Sequence, residues 1–189
     1  MSKVSLHDVL QASYGNKQYT DVLNRAGYKY DSMLSNQNQK VWVNPENKKL
    51  LYTIAGTQSL YDWGVDAFLA GGALKSTNRY KQADNVLKQA KQKYSGYSTT
   101  VSGHSLGSTI GQQIASKSSD KFVGLDGGFT IGQKITDNKN FKNYRTNGDW
   151  VSGLAGLSPN MTTLKNKNWW KGPLISHKLH NIKNENIFI

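Results

Sequence analysis

The chain has 189 residues, of which 37% are hydrophobic, which is enough for one globular domain with a core but not comfortably for two. It contains no cysteine and four histidines. This composition excludes disulfides and thiolate metal sites and disfavours a transition-metal cage. We therefore expect no metal and no organic cofactor, and any chemistry must come from hydroxyl, carboxylate and imidazole groups.

The net charge of +12 comes almost entirely from lysine, with 21 lysines against 3 arginines. Arginine is the usual reader of base edges and phosphates, whereas scattered lysines act as point charges on any anionic surface. The lysines stand singly and in pairs and form no basic recognition helix, so we do not expect a nucleic-acid partner. Peripheral contact with an anionic membrane surface fits the charge, at about 1 kcal/mol per lysine near it, as does an ordinary solvated surface.

Residues 1–21 contain no apolar run of signal-peptide length, and no later window approaches the roughly 20 apolar residues that a membrane helix needs. We expect a soluble protein that stays inside a cell or belongs to a virion, or that is exported without a cleavable signal. The sequence does not indicate the oligomeric state.

The first 38 residues predict one or two short helices, stopped by Gly15 and Gly27. Two β-rich runs follow on either side of Asn44-Pro45-Glu46-Asn47, whose composition is typical of a hairpin turn. Residues 59–76 begin with a helical pattern that loosens at the paired glycines Gly71-Gly72.

The next stretch predicts an amphipathic helix, capped near Ser76 or Thr77 and stopped by Gly96. Its apolar positions are Tyr80, Ala83, Val86 or Leu87, and Ala90. A short strand, YSTTVSG, comes next and runs directly into another helix, SLGSTIGQQIASK. A strand–turn–helix unit is therefore predicted around Ser105.

Ser105 lies in a Gly-X-Ser-X-Gly motif, between Gly103 and Gly107. In a strand–turn–helix context this motif lifts a serine hydroxyl above the strand ends, at a helix N-terminus that favours developing negative charge. Both glycines are needed there because side chains would collide with the neighbouring elements. A serine that only capped the helix would not require both glycines, so we predict that Ser105 is a nucleophile.

The motif SGHSLG resembles that of the class 3 lipase family, α/β-hydrolases that include fungal triacylglycerol lipases and phospholipase A1-like enzymes. A second segment, LLYTIAGTQSLYDWGVD, is similar to the family's strand that ends in aromatic-Arg-Gly-Ser/Thr and precedes an Asp-Trp pair. Gly56-Thr57 and Asp62-Trp63 fall at the matching places. The chain departs from the family at Ala55, where the family has arginine, and in FVGLDGGFTIG, where the family has Phe-Gly-Ser-Pro.

The resemblance implies an α/β fold with an α/β-hydrolase-type central, mostly parallel sheet flanked by helices, in a minimal single domain. The domain would span residues 1–189, with an N-terminal helical segment over 1–38 and a lipase-like core over 40–184. The implied activity is a serine hydrolase that cleaves carboxylic esters of lipids through a Ser-His-Asp triad and an acyl-enzyme. Such an enzyme would be a triacylglycerol lipase or phospholipase A1-like, and the positive charge favours phospholipids over neutral fats.

The sequence does not exclude two other functions. A non-catalytic basic protein could use a hydrolase scaffold to bind an anionic membrane or nucleic acid. An acyltransferase or peptidase would share the same triad, since the triad chemistry is common to acyl transfer in general.

The catalytic base is expected in the segment LISHKLHNIKN, at His177 or His180. In this fold the order along the chain is serine, acid, histidine, which places His7 too early, and His104 lies inside the serine motif. The resemblance favours His177, because the family often places its histidine two residues before an aliphatic residue near the C-terminus.

For the acid, the segment FKNYRTNGDWVSGL offers a strand followed by a loop that carries Asp149. The segment is similar to the family's Arg-Val-x-His-x-x-Asp-x-Val-Pro stretch. Three residues stand at corresponding places: Arg145, Asp149 and Val151. We predict Asp149, with Asp137 and Asp126 as competitors, of which Asp126 is the stronger because it also ends a predicted strand.

The oxyanion donors implied by the resemblance are the backbone amide of Leu106, the residue after the nucleophile, and that of Thr57, whose hydroxyl could add a bond. Removing one such donor typically lowers turnover by about a hundred- to a thousandfold. Asp62 is expected only to cap or charge the first turn of its helix.

The apolar stretch after Trp63 stands where the family has a lid. Three of its residues are candidates for facing a lipid interface or covering the site: Phe68, Leu69 and Leu74. A helix end packed on the core is the alternative. Trp169-Trp170 beside Lys167 and Lys171 is also typical of an interfacial anchor, since indole and lysine favour the headgroup region.

Overall fold

A computed structural model of the chain describes residues 3–57, 74–128, 138–149, 152, 161–166, 169–172, 176–183 and 185–189. Within these ranges one sheet is formed by β1 (Lys29–Tyr30), β2 (Gln39–Asn44), β3 (Lys49–Ile54), β4 (Ser98–His104), β5 (Lys121–Leu125), β6 (Phe141–Thr146) and β7 (Met161–Leu164). The strands lie side by side in chain order. β1, β2 and β3 pair antiparallel, whereas β3 to β7 pair parallel. The mostly parallel sheet confirms the predicted fold class.

The helices of the described residues are α1 (Leu6–Ser13), α2 (Lys17–Arg25), α3 (Asn78–Lys93) and α4 (Leu106–Ala115). Short 3-10 turns cover Leu74–Ser76, Trp169–Lys171 and Leu179–Ile182. The Thr77 hydroxyl accepts a hydrogen bond from the Tyr80 amide and so caps α3, because the first turn of a helix leaves its amides without partners. In the described ranges, no helix combines the length and the apolar character that crossing a membrane requires.

The sheet is covered on both faces, since successive side chains of a strand alternate between them. On β2, Val41 and Val43 join one apolar cluster and Trp42 joins another. α3 and α4 pack in the first cluster, and the buried residues of α3 are the predicted apolar positions Tyr80, Ala83, Val86, Leu87 and Ala90. α1 packs on the opposite face through residues such as Val9 and Leu10. The result is a three-layer α/β/α arrangement.

The predicted hairpin and helix stops are confirmed. Asn44 pairs with Lys49 across the β2–β3 hairpin, and its side-chain oxygen accepts a hydrogen bond from the Asn47 amide. Gly15 and Gly27 follow α1 and α2 with φ values of 82° and 86°, a region that glycine adopts without steric cost. The short strands β1 and β7 were not predicted.

The candidate functional residues follow the carboxyl ends of neighbouring strands. Residues 55–57 follow β3, Ser105 follows β4, Asp126 follows β5 and Asp149 lies shortly after β6. These strands are parallel, so their carboxyl ends lie at the same edge of the sheet. In open α/β sheets this edge is where ligands bind.

Candidate active site

Ser105 stands in a tight turn between β4 and α4, with φ 56° and ψ −128°. A non-glycine residue in this region carries strain of about 1–3 kcal/mol, which is commonly found at functional sites. A side chain at Gly103 would collide with Gly107, and a side chain at Gly107 would collide with the carbonyl of Ile54. The Ser105 side chain makes no capping hydrogen bond to α4, so helix capping does not account for this serine.

His177 and Asp149 form a buried pair. His177 Nδ1 lies 2.8 Å from Asp149 Oδ1, and the two side chains are 1% and 0% exposed. Because the carboxylate accepts the Nδ1 proton, the lone pair of a neutral ring lies on Nε2. His177 Nε2 and Ser105 Oγ are both buried and have no hydrogen-bond partner among the described residues. The arrangement leaves an acceptor and a hydroxyl without competing bonds.

The second oxygen of Asp149 is held by Ser152, a residue that the sequence did not single out. Asp149 Oδ2 accepts from the Ser152 amide at 2.8 Å and from its hydroxyl at 2.5 Å. Burial alone would raise the pKa of Asp149, but the hydrogen bond from His177, followed by those from Ser152, lowers the pKa below its usual value. Asp149 is therefore a charged carboxylate that fixes the orientation of His177.

Asp126, the competing carboxyl, has different partners. Its oxygens accept from the amide of Thr146 at 2.6 Å and from the Thr146 hydroxyl at 2.9 Å, and the residue has φ 50°. Burial, followed by the nearby charge of Asp149, raises the pKa of Asp126 to about 7. The geometry therefore makes Asp149, and not Asp126, the hydrogen-bond partner of His177.

His104 is held next to His177 by hydrogen bonds to both of its ring nitrogens. Its Nδ1 lies 2.8 Å from the Tyr14 hydroxyl and its Nε2 lies 3.0 Å from the backbone carbonyl of His177. The carbonyl can only accept, so Nε2 carries the proton, and Tyr14 donates to Nδ1. Burial, followed by the neighbouring His177 ring, lowers the pKa of His104 to about 3. His104 is thus a neutral bridge between α1 and the His177 loop.

One carboxylate oxygen of Asp126 and one ring nitrogen each of His104 and His177 lie within 4.8 Å of one another. Three such groups could in principle hold a cation. Both nitrogens of His104 are already engaged, with Tyr14 and with the His177 carbonyl, and a protonated nitrogen offers no lone pair. This cluster is therefore explained by its hydrogen bonds.

Gly56 lies against the serine on the β3 side, and Thr57 is the next residue along the chain. A Cβ atom placed on Gly56 would lie 2.9 Å from Ser105 Cβ and 2.6 Å from the Tyr14 hydroxyl, so only glycine fits there. The Gly56 amide donates to the Tyr14 hydroxyl at 2.9 Å. Thr57 Oγ1 is buried and has no partner in the described part of the chain. Leu106, whose amide follows the serine, is the first residue of α4.

The other candidate residues fall at varied places. His180 is exposed in the 3-10 turn that follows His177. Leu74 is 8% exposed and packs in the core cluster of α3 and α4. For this residue the structure therefore supports packing on the core and not exposure to a lipid interface. Trp170 is 68% exposed, with Lys171 Nζ 5.2 Å from its ring centre. Several predictions lie outside the described residues, namely those on Asp62-Trp63, Phe68, Leu69, Gly71-Gly72, Asp137, Val151 and Lys167, and the side chain of Trp169 is not described.

Tyr14 and Ser152 are the functional contacts that sequence reasoning missed. Tyr14 lies 90 residues from His104 along the chain, and no local pattern connects them. Ser152 stands three residues after Asp149, a spacing at which a serine often bonds a preceding carboxylate in a turn. That spacing was the one signal available in the sequence.

The chain is similar in sequence and fold to known lipases. The profile of the family described as Lipase (class 3) matches residues 12–148. Among solved structures, the Lip2 lipase from Yarrowia lipolytica is similar, with 14% identity over 85% of this chain and 77% of that one and a TM-score of 0.58. Lipase II from Rhizopus niveus is 18% identical over 80% of this chain and 71% of that one, with a TM-score of 0.55.

A mutant form of MDLA from Penicillium cyclopium is also similar, with 18% identity over 87% of this chain and 78% of that one and a TM-score of 0.54. At these identities the likeness is one of fold. No curated protein matches the sequence. The family assignment therefore rests on the profile and on the fold together.

Proposed function

Because the chain belongs to the class 3 lipase family, whose members hydrolyse lipid esters, we propose that it cleaves carboxylic esters of lipids with Ser105, His177 and Asp149 as its catalytic triad. The observation that carries the proposal is the 2.8 Å bond between His177 Nδ1 and Asp149 Oδ1. Among the described residues, His177 Nε2 and Ser105 Oγ are both buried and have no hydrogen-bond partner. These are the states that a general base and a nucleophile need before substrate arrives.

Acylation begins when Ser105 Oγ attacks the ester carbonyl carbon. His177 Nε2 takes the hydroxyl proton, and the charged Asp149 stabilises the imidazolium that forms. As the tetrahedral intermediate collapses, its bond to the alkoxy oxygen breaks, and His177 gives the proton to the leaving alcohol. The product of this half-reaction is an ester between the acyl group and Ser105.

Deacylation repeats the same steps with water. A water molecule attacks the acyl carbon, His177 accepts its proton, and the bond to Ser105 Oγ breaks as the serine recovers the proton. In both halves the negative oxygen would be bound by the backbone amides of Leu106 and Thr57. The buried Thr57 hydroxyl, which has no partner within the described ranges, is a further donor.

The substrate class follows from charge and burial. The net charge of +12 favours a phospholipid over a neutral fat, because anionic headgroups attract lysines. Ser105 is fully buried, so an ester reaches it only after part of the surrounding structure moves. We therefore expect higher activity on aggregated lipid than on dissolved esters, with a phospholipase A1-like preference over triacylglycerol.

Hydrolysis of p-nitrophenyl esters of short and long chain tests the triad. Ser105→Ala and His177→Ala are each expected to lower kcat by about 10⁴-fold or more, because a triad acts as a unit. His180→Ala is the matched control, since His180 is exposed a few residues away, and it should retain wild-type kcat.

A folded wild-type protein that turns over no ester of any chain length would contradict the proposal. In that case a salt-dependent shift of DNA, or binding to anionic vesicles, would identify the non-catalytic binding protein instead. Loss of activity in His180→Ala with full activity in His177→Ala would contradict the assignment of the base alone.

A further inference from the structure

Arg79 reaches from the first turn of α3 to the segment that follows β3. Its Nη2 lies 2.5 Å from the carbonyl oxygen of Ala55 and 3.2 Å from that of Gly56, and donates to both. Ala55 stands where the class 3 lipase pattern has an arginine. The Arg79 guanidinium, which comes from α3, therefore contacts the backbone of Ala55, the residue that replaces the arginine of the family pattern.

The carbonyl of Gly56 and the amide of Thr57 belong to one planar trans peptide, so they point in opposite directions. A donor that fixes the Gly56 oxygen therefore also fixes the direction of the Thr57 N–H. Hydrogen bonding to a peptide oxygen further polarises the peptide and strengthens its N–H as a donor. Through this peptide, Arg79 acts on the proposed oxyanion donor from the side opposite the substrate.

The preceding peptide is held at both of its ends. Its carbonyl, on Ala55, accepts from Arg79, and its amide, on Gly56, donates to the Tyr14 hydroxyl at 2.9 Å. With no side chain at Gly56, this backbone would otherwise have the largest conformational freedom of any residue. Two residues from two helical regions, Tyr14 and Arg79, thus restrain the short segment that lies against Ser105.

The charge of Arg79 is not neutralised by any carboxylate within ion-pair distance in the described part of the chain. Its Nε is buried and has no hydrogen-bond partner there. Burial accordingly lowers the pKa of Arg79 from its ordinary value, although a guanidinium remains charged at neutral pH. A positive charge in a poorly solvated place acts over several ångströms on charge that develops nearby.

We propose that Arg79 is a positioning residue for the oxyanion site: it orients the Gly56–Thr57 peptide so that the Thr57 amide faces the developing oxyanion, and its positive charge stabilises that oxyanion. The inference rests on the proposed function, because it takes Thr57 as an oxyanion donor. Arg79 contacts the backbone and does not touch the substrate.

The test compares Arg79→Gln and Arg79→Lys with the wild type and with Arg25→Gln, a control at an exposed arginine at the end of α2. Kinetics on a p-nitrophenyl ester are measured together with inhibition by an alkylboronic acid, which forms a tetrahedral adduct on the nucleophilic serine. We expect Arg79→Gln to lower kcat by about 100-fold with little change in KM. Boronic acid affinity should fall in parallel, Arg79→Lys should recover part of both, and Arg25→Gln should match the wild type.

A purely structural role for Arg79 would lower thermal stability and leave the kcat and boronic acid affinity of the folded fraction unchanged, and that result overturns the inference. So does a rise in KM alone. If Arg79→Gln does not fold, Arg79→Lys decides between the same two outcomes. Wild-type protein that hydrolyses no ester overturns the proposed function and this inference together, whereas an active wild type with an equally active Arg79→Gln overturns this inference alone.

Discussion

Asp126 and Asp149 are both buried carboxyls that follow neighbouring strands, yet their partners give them opposite properties. Hydrogen bonds from His177 and Ser152 favour the charged form of Asp149, whereas Asp126 accepts hydrogen bonds from Thr146 and lies near the Asp149 charge. Position at a strand end does not distinguish the two, and the prediction of Asp149 came from the resemblance of its segment to the class 3 lipase stretch. Which of them faces His177 depends on contacts that form only in the folded chain.

Asp126 makes stability depend on pH. In the unfolded chain it ionises near pH 4, but in the folded protein its pKa is raised to about 7 by burial and by Asp149. The folded state therefore holds a proton that the unfolded state has lost, and the free energy of unfolding falls as pH rises from about 4 to about 7. Asp126→Asn removes this titration, so its stability relative to the wild type should rise over the same window and level off above pH 7.

Urea unfolding of both proteins at pH 4.5, 6 and 8 measures this difference. Titrating groups far from Asp126 contribute equally to both proteins and cancel in the comparison, whereas Asp149 and His177 interact with Asp126, so the measured difference reports this coupled group of residues. A stability difference that stays constant across the three pH values would show that Asp126 does not hold a proton in the folded protein.

Helices and turns that depend on local sequence patterns could be predicted, whereas strands that depend on tertiary pairing could not. The 3.6-residue spacing of apolar residues predicted α3 together with its buried face. Gly103 and Gly107 predicted the tight turn at Ser105. β7 was not predicted, because its sequence has no alternating or continuous apolar pattern: Thr162 and Thr163 are exposed and only Leu164 is buried. Its membership in the sheet comes from pairing with β6.

The end of α1 connects the helix layer to the active site through Tyr14. Its hydroxyl accepts from the Gly56 amide and donates to His104, so Tyr14→Phe leaves a buried amide without a partner. We expect a loss of about 1–3 kcal/mol in the free energy of unfolding, together with a fall in kcat of about tenfold through misplacement of the oxyanion segment. Chemical denaturation and ester kinetics check the two effects.

Tyr19→Phe serves as the control, because the Tyr19 ring packs edge-on against His7 in the same helical region. It should be close to wild type in kcat. If Tyr14→Phe behaves like Tyr19→Phe in both measurements, the bonds of the Tyr14 hydroxyl do not restrain the site.

The charge of +12 and the exposed Trp170 are the basis on which we propose peripheral contact with a lipid surface. Lys171 Nζ lies 5.2 Å from the Trp170 ring centre, so an indole and a cation are presented together. We expect binding to vesicles with anionic lipid and weaker binding to zwitterionic ones, decreasing with salt. Lys171→Gln should weaken binding about fivefold, since one lysine contributes about 1 kcal/mol.

Vesicle flotation with and without anionic lipid provides the measurement, and Trp170→Ala gives the contribution of the indole. Absence of binding to both compositions would exclude the membrane contact. Equal binding to both would show that charge is not what recruits the protein to lipid.

We propose that Ser105 is a nucleophile activated by His177. Labelling with a fluorophosphonate, followed by mass spectrometry of the peptides, tests it most directly, because the reagent reacts covalently with activated serines and requires no knowledge of the substrate. We expect one label per chain, located on Ser105, with slow labelling in His177→Ala and none in Ser105→Ala. Folded wild-type protein that remains unlabelled, or that is labelled at another serine, would contradict it.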